Sequence, residues 1–263
     1  MAVKTILKSK GVILFIVLAG FLIGNTIVAE FVGGKIFSLE KLFGFPSLNL
    51  TILGVDGLGL NLTAGAILWP VVFIMTDLIN EYYGTKAVKF LSYLAISIVI
   101  YAFIMIYGAI GLPPNEWWQF QSGLTENTAL SIVDMNLSFN KIMGQGLWII
   151  IGSMVAFLVG QILDVAVFHK IKSMTGEKHM WLRATGSTLI SQIVDSYIVL
   201  LIAFWIGSDW DLTRVLAIGT VNYIYKGSMA ILLTPVLYGG HYFIEEYLGH
   251  DNAAVMKTQA QEA

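Results

Sequence analysis

Five charged side chains stand inside long apolar stretches: Asp77, Glu81, Asp164, Asp195 and Lys226. A charge at membrane depth costs about 3 kcal/mol or more on insertion scales, so such residues usually face a bundle interior and mark function. Amides accompany them at helical spacing. Asp77, Asn80 and Glu81 fall at i, i+3 and i+4 and share one helix face. Gln161 and Asp164 form one Gln-Ile-x-Asp stretch, and Gln192 and Asp195 form another. Asn222 precedes Lys226 by one helical turn. A carboxylate beside an amide presents acceptors and donors together. With a lysine and many aromatic rings, these groups describe a pocket for a planar, hydrogen-bonding, roughly neutral small molecule. Plainer readings stand beside this one. Glu81 ends its helix at the inner interface, the two Gln-Ile-x-Asp stretches hold their helices together, and Asp195 with Lys226 is a structural ion pair. The intramembrane charges sum to four carboxylates against one lysine, which disfavours an anionic ligand unless protons accompany it.

The elements that carry these residues follow from composition. Of 263 residues 57% are hydrophobic and 12% charged, about half the charge of a soluble domain, and mean hydropathy is +0.77. A soluble enzyme would need more charge to cover its surface. The apolar fraction excludes a disordered chain. A net charge of −2 offers no basic excess for nucleic acid. The absence of Cys removes disulfides and thiolate chemistry. His169, His179, His241 and His250 lie in loops or helix ends, which argues against a metal site, and no phosphate-cradling loop motif points to a nucleotide cofactor.

What remains is an all-α polytopic membrane protein of one domain. At roughly 20 apolar residues per crossing, six transmembrane helices are expected over about 11–29, 61–80, 87–110, 145–168, 184–206 and 215–238. Pro70 is expected to kink the second. Residues 31–60 are glycine-rich, and the alternation in Ser47–Leu53 predicts an irregular or short hairpin element at the outer surface. The tail 239–263 is polar at its end and expected to fray in the cytoplasm. The Lys/Arg bias places both termini inside. Lys4, Lys8, Lys10, Lys86, Lys89, Lys170, Lys172, Lys178, Arg183 and Lys257 then lie on the inner side, against Lys35, Lys41, Lys141 and Arg214 outside. Trp117, Trp118 and Trp210 suit an outer interfacial belt. The long outer loop 111–144, with Pro113-Pro114 and the amides Gln119, Gln121 and Asn127, is either a surface connection or a lid.

Four stretches, in order, resemble the queuosine precursor transporter family, also described as the putative vitamin uptake transporter family. They are Trp-Pro-x-x-Phe-x-x-Thr-Asp ending in Tyr-Gly (69–84) and Gly-Gln-Ile-Leu-Asp-Val-x-Val-Phe (160–168). Ser-Thr-Leu with Asp-Ser and Ile-Ala-Phe-Trp (187–205) and Tyr-x-x-Lys with Pro-x-x-Tyr-Gly (223–239) complete the set. The resemblance implies a multi-pass protein of a prokaryotic inner membrane that takes up a 7-deazaguanine precursor of the tRNA base queuine. It transfers Asp77 more firmly than Asn80 or Glu81. It also admits a second reading, a substrate-binding subunit of an energy-coupling-factor importer working with a separate energising module. Gly152-Ser153-x-x-Ala156 and Gly160 offer small residues for such a partner helix, for a homodimer or for internal packing. A third reading, a membrane enzyme with Asp164 and Asp195 as acid and base, has no further motif behind it.

Overall fold

A computed structural model describes residues 9–119, 134–144, 146–176 and 180–262. The first helix, α1 (Lys10–Val32), starts where the Ser9 hydroxyl accepts from the Val12 N–H and ends at Gly33. It buries one stripe, Leu18, Leu22, Thr26, Ala29 and Glu30, and leaves Ile16, Val17, Phe21 and Val28 exposed on the opposite face. That is the one-sided pattern of a helix at the rim of a bundle.

Two short hairpins follow. Strand β1 (Ile36–Ser38) leads into the single turn α2 (Leu39–Leu42) and pairs antiparallel with β4 (Asn61–Thr63). Between them β2 (Leu50–Ile52) pairs with β3 (Val55–Leu58) across Leu53-Gly54, both at positive φ (53° and 79°). This is the turn geometry that follows strand twist in a two-residue hairpin. The buried Glu40 carboxylate accepts from the Leu60 N–H at 2.6 Å and the Ser38 hydroxyl at 2.9 Å, which fastens the two ends of the element. The expected hairpin after the first helix is present.

Helix α3 (Trp69–Ile110) follows a 3-10 turn at Ala64–Ile67. It is broken at Gly84 (φ 79°, ψ 176°) into limbs 69–83 and 85–110. The limbs run in opposite directions along α1. Tyr83 hydroxyl donates to the Gly11 carbonyl (2.6 Å) and its ring meets Phe15 at 5.0 Å, near the start of α1. Gly65 abuts the Ala29 carbonyl and Phe103 meets Phe31 at 5.9 Å, near the end of α1. The second expected span therefore begins as strand β4 and a 3-10 turn rather than as helix at Asn61. Pro70 sits in the first turn of α3, where its missing N–H costs nothing, and produces no kink. The break at Gly84 lies between the second and third expected spans, 61–80 and 87–110.

A four-residue turn, α4 (Glu116–Gln119), and α5 (Met135–Met143) follow. The middle of the outer loop, with Gln121 and Asn127, lies outside the described residues, and so does the idea of a lid. Then come α6 (Leu147–Thr175), α7 (Met180–Leu200, continued by a π-helical turn over Leu201–Ile206) and α8 (Leu212–Leu232). Among the described residues five helices are long and apolar enough to cross a membrane, the one broken at Gly84 counted once. This is an all-α polytopic membrane protein.

The chain after Gly239 does not fray. It forms α9 (Thr234–Leu248) and α10 (His250–Glu262), with His241, Ala253 and Ala260 buried. Buried residues spaced three to four apart (Leu237, His241, Ile244, Leu248) put α9 against the bundle. Helix α10 crosses the Gly84 break so closely that a Cβ there would stand 2.7 Å from the Ala260 carbonyl oxygen.

Candidate ligand site

The first limb of α3 carries a ladder at i, i+4 and i+8: Trp69, Phe73 and Asp77. The two rings stack along the helix at 6.3 Å and 29°, and Trp69 also meets Phe157 of α6 at 5.5 Å. All three ladder residues line a cleft of about 480 Å³, its open mouth included, between this limb and the second half of α8. Pro70 and Ile74 widen that wall, Lys226, Ala230 and Thr234 stand opposite, and Thr185 and Thr188 of α7 form the floor. The Thr185 and Thr234 hydroxyls, 2.8 Å apart, close one end of it.

Of the residues singled out in the sequence, Asp77 and Lys226 line the cleft. Lys226 is ion-paired with Asp195, both about 15% exposed (16% and 15%). The expected meeting of those two residues at one depth is therefore present. Asn222 is half-buried one turn outward of Lys226 and outside the lining. Gln161 and Asp164 do not share the cleft with Asp77 as expected. They lie behind it, packed between α3, α6 and α7, with Gln161 donating to the Thr76 hydroxyl (3.2 Å) and Asp164 accepting from Ser191 (3.2 Å). Gln192, 1% exposed, belongs to the same buried layer.

Glu81 and Asn80 lie one turn further in. Glu81 is 1% exposed and accepts from Lys172 at 3.1 Å and Arg183 at 2.8 Å, while Arg183 also donates to the Gly176 carbonyl. Its two carboxylate oxygens are thus engaged within the protein. Asn80 Oδ1 stands 3.1 Å from His169 Nε2. Sequence reasoning assigned Lys172 and Arg183 to an inner loop. Helical spacing gives them away: Gln161, Asp164, Phe168 and Lys172 form one stripe of α6, and Arg183, Ser187, Ser191 and Asp195 one stripe of α7. Glu30 was also missed. It is buried near the outer end of α1, where its carboxylate accepts from Ser153 at 2.9 Å. Within the helix bundle, among the described residues, the buried and largely buried charges are therefore five carboxylates against three cations, in two pools. The inner pool (Glu81, Lys172, Arg183) carries an excess of cation, and the cleft side (Glu30, Asp77, Asp164, Asp195, Lys226) an excess of carboxylate.

Several buried polar atoms around the cleft and the layer behind it have no hydrogen-bond partner among the described residues: Asp77 Oδ1, Asn80 Nδ2, Gln161 Oε1, both amide atoms of Gln192 and the Ser196 hydroxyl. Each such orphan costs about 1–3 kcal/mol, so a ligand that supplies the missing partners is favoured by relieving that cost. The small-residue stretch of α6 is spent inside the chain. Gly152 faces the Val199 carbonyl, Gly160 faces Asp195 Cβ, and Ala156 is 1% exposed. It is not a free surface for a second subunit.

Residues 63–240 match the family described as putative vitamin uptake transporter. A probable queuosine precursor transporter of Bacillus subtilis is 28% identical over 199 residues, 74% of this chain and 80% of that protein. A queuosine precursor transporter of Escherichia coli is 28% identical over 204 residues, 77% and 83% of the two chains. A probable one of Haemophilus influenzae is 26% identical over 195 residues, 73% and 74%. No solved structure matches the chain.

Proposed function

The chain belongs to the putative vitamin uptake transporter family, and we propose that it imports a queuosine precursor across a prokaryotic inner membrane, both termini in the cytoplasm. The cargo is a 7-deazaguanine: the 7-cyano or 7-aminomethyl compound, or queuine. The names of its relatives support the substrate class. The observation that carries the reading is the Asp77 carboxylate, buried at the foot of the Trp69–Phe73 ladder with one oxygen lacking a partner.

The chemistry fits atom by atom. A 7-deazaguanine carries N1–H and an exocyclic amine on one edge, and one carboxylate accepts both in a two-point contact of the kind arginine makes. The carbonyl oxygen beside N1 asks for a donor, which Lys226 or a buried amide supplies. The flat bicycle stacks on Trp69 or Phe73, as bases do on aromatic side chains. Glu81 takes no part, because its oxygens are held by Lys172 and Arg183.

Competition binding to the purified protein tests the edge recognition. Guanine and the 7-cyano compound are expected to displace one another. Adenine has no N1–H and no 2-amino group, leaves the carboxylate unsatisfied and is expected to fail. Displacement by adenine equal to that by the 7-cyano compound overturns the proposal.

A further inference from the structure

Among the described residues, the cleft lining holds two charged side chains, Asp77 on α3 and Lys226 on α8 opposite. Its other polar side chains include the hydroxyls of Thr185, Thr188 and Thr234, which are neutral, and the first and last of these are bonded to each other at 2.8 Å. The remaining carboxylates of the cleft side stand outside the lining and have partners of their own. Asp195 accepts from Lys226, Asp164 from Ser191 and Glu30 from Ser153. A ligand in the cleft therefore meets one acid, at the foot of the aromatic ladder, and one cation.

The order of groups around a 7-deazaguanine then decides what stands beside each charge. Its carbonyl oxygen lies between N1–H on one side and the C7 substituent on the other. With Asp77 on N1–H and the 2-amino group, Lys226 is the charged donor left for the carbonyl, the contact lysine makes with the same oxygen of guanine in DNA. Its ammonium has three N–H groups, and Asp195 accepts one of them. A second serves the carbonyl, and the third is free for the neighbouring substituent at C7. A nitrile there is neutral and accepts through its terminal nitrogen. An aminomethyl group is protonated at neutral pH, as a lysine amine is, and offers only donors. It sets one ammonium beside another, with no second acid in the lining to separate them. Turned toward Asp77 instead, it would take the acceptor from the N1–H edge and leave those donors unmet.

We infer that Lys226 is the residue that selects among the precursors, and that it favours the neutral 7-cyano compound over the 7-aminomethyl compound and over queuine, whose C7 side chain also carries a charged amine. The inference rests on the nucleobase reading of the cleft and adds to it the identity of the C7 substituent. Asp195 is then a positioning residue: it stands outside the lining and holds the Lys226 ammonium from α7.

Equilibrium binding to the purified full chain tests this with three compounds, the 7-cyano, 7-aminomethyl and 7-hydroxymethyl 7-deazaguanines. The last has the size of the aminomethyl compound without its charge. Wild-type protein is expected to bind the 7-cyano compound at least about tenfold more tightly than the 7-aminomethyl compound, with the 7-hydroxymethyl compound close to the 7-cyano one. Lys226→Gln removes the cation and leaves the Asp195 carboxylate without its partner. The ratio of the two affinities is then expected to move by about tenfold or more toward the 7-aminomethyl compound. A ratio within one protein does not depend on the fraction folded, and the hydroxymethyl comparison needs no variant. Equal or tighter binding of the 7-aminomethyl compound by wild type overturns the selection. So does a 7-hydroxymethyl compound bound as weakly as the 7-aminomethyl one, or a ratio unchanged in Lys226→Gln. Wild-type protein that binds none of the three overturns the nucleobase reading instead.

Discussion

Lys226 and Asp195 form an ion pair between α8 and α7 at the edge of the ligand cleft, 31 residues apart in the chain. Removing one partner from a largely buried pair leaves an uncompensated charge and costs about 3–5 kcal/mol, whereas replacing both is often neutral. Asp195→Asn is expected to lower the melting temperature in detergent and weaken uptake strongly, while the protein still inserts. Asp195→Asn combined with Lys226→Met is expected to regain most of the stability and none of the uptake. Recovered uptake in the double variant would show that the pair is structural only.

The Glu81 cluster behaves oppositely. Its carboxylate neutralises two buried cations and does not line the cleft beside Asp77. Glu81→Gln leaves Lys172 and Arg183 facing one another and is expected to cost about 3 kcal/mol or more of stability. Ligand affinity of the fraction that folds is expected to change less than threefold. Titration of purified, monodisperse protein separates the two effects, and a large loss of affinity at full stability would place Glu81 in the site after all.

Gly84 lies under two constraints at once. Its φ of 79° is strained for any residue with a side chain, and a Cβ would press on the Ala260 carbonyl at 2.7 Å. Gly84→Ala is expected to destabilise the protein by about 1–3 kcal/mol. Removing α10 relieves only the contact, so Gly84→Ala is expected to cost less in a chain ending at Gly249 than in the full one. Equal cost in both backgrounds, measured by thermal unfolding, would reduce the effect to backbone strain alone.

The pattern of what was legible has physical causes. Spans and the hairpin show in hydropathy and alternation because each is a local periodicity. The Asp195–Lys226 pair was readable because two antiparallel neighbours fix relative depth. The break at Gly84 falls in the gap left between the second and third expected spans, whereas the kink expected at Pro70 is absent because a proline in the first helical turn breaks nothing. Lys172 and Arg183 were counted with loop charges because a cation near a helix end reads as an orientation signal, and only the partner helix shows that Glu81 meets it. Trp69 and Phe73 were visible as motif residues, but their i, i+4 ladder down to Asp77 becomes a site only once α8 stands opposite.

His241 makes stability depend on pH. It is buried on α9 against the Tyr82 hydroxyl (3.0 Å), and burial, with help from Lys257, Arg183 and Lys172, pushes its pKa down to about 3. In the unfolded chain the imidazole titrates near its ordinary 6.5. Between those values the unfolded state binds the extra proton, so stability is complete above about pH 6.5 and falls as the pH drops toward 3. The slope is at most about 1.4 kcal/mol per unit. His241→Gln removes this dependence. The melting-temperature difference between wild type and this variant is expected to shrink from pH 7.5 to pH 4.5, and a difference that stays constant would place the histidine's proton elsewhere.

The aromatic ladder is the most direct probe of what the cleft holds. If a flat base stacks on Trp69, the interaction lies in the ring face and not in the indole N–H, since stacking on an aromatic surface is worth about 1–3 kcal/mol per base and tolerates a change of ring. Trp69→Phe is then expected to keep ligand affinity within about threefold, and Trp69→Ala to lose roughly 5- to 150-fold. Trp69 also packs on Phe157, so part of the alanine effect is lost packing. Phe157→Leu serves as the control, because it removes that ring contact while leaving the cleft wall in place. Trp69→Ala and Phe157→Leu are expected to lower the melting temperature alike but to differ in affinity. Equal affinity losses would assign the tryptophan to the scaffold and leave Phe73 and Asp77 as the ladder's contacts with the ligand.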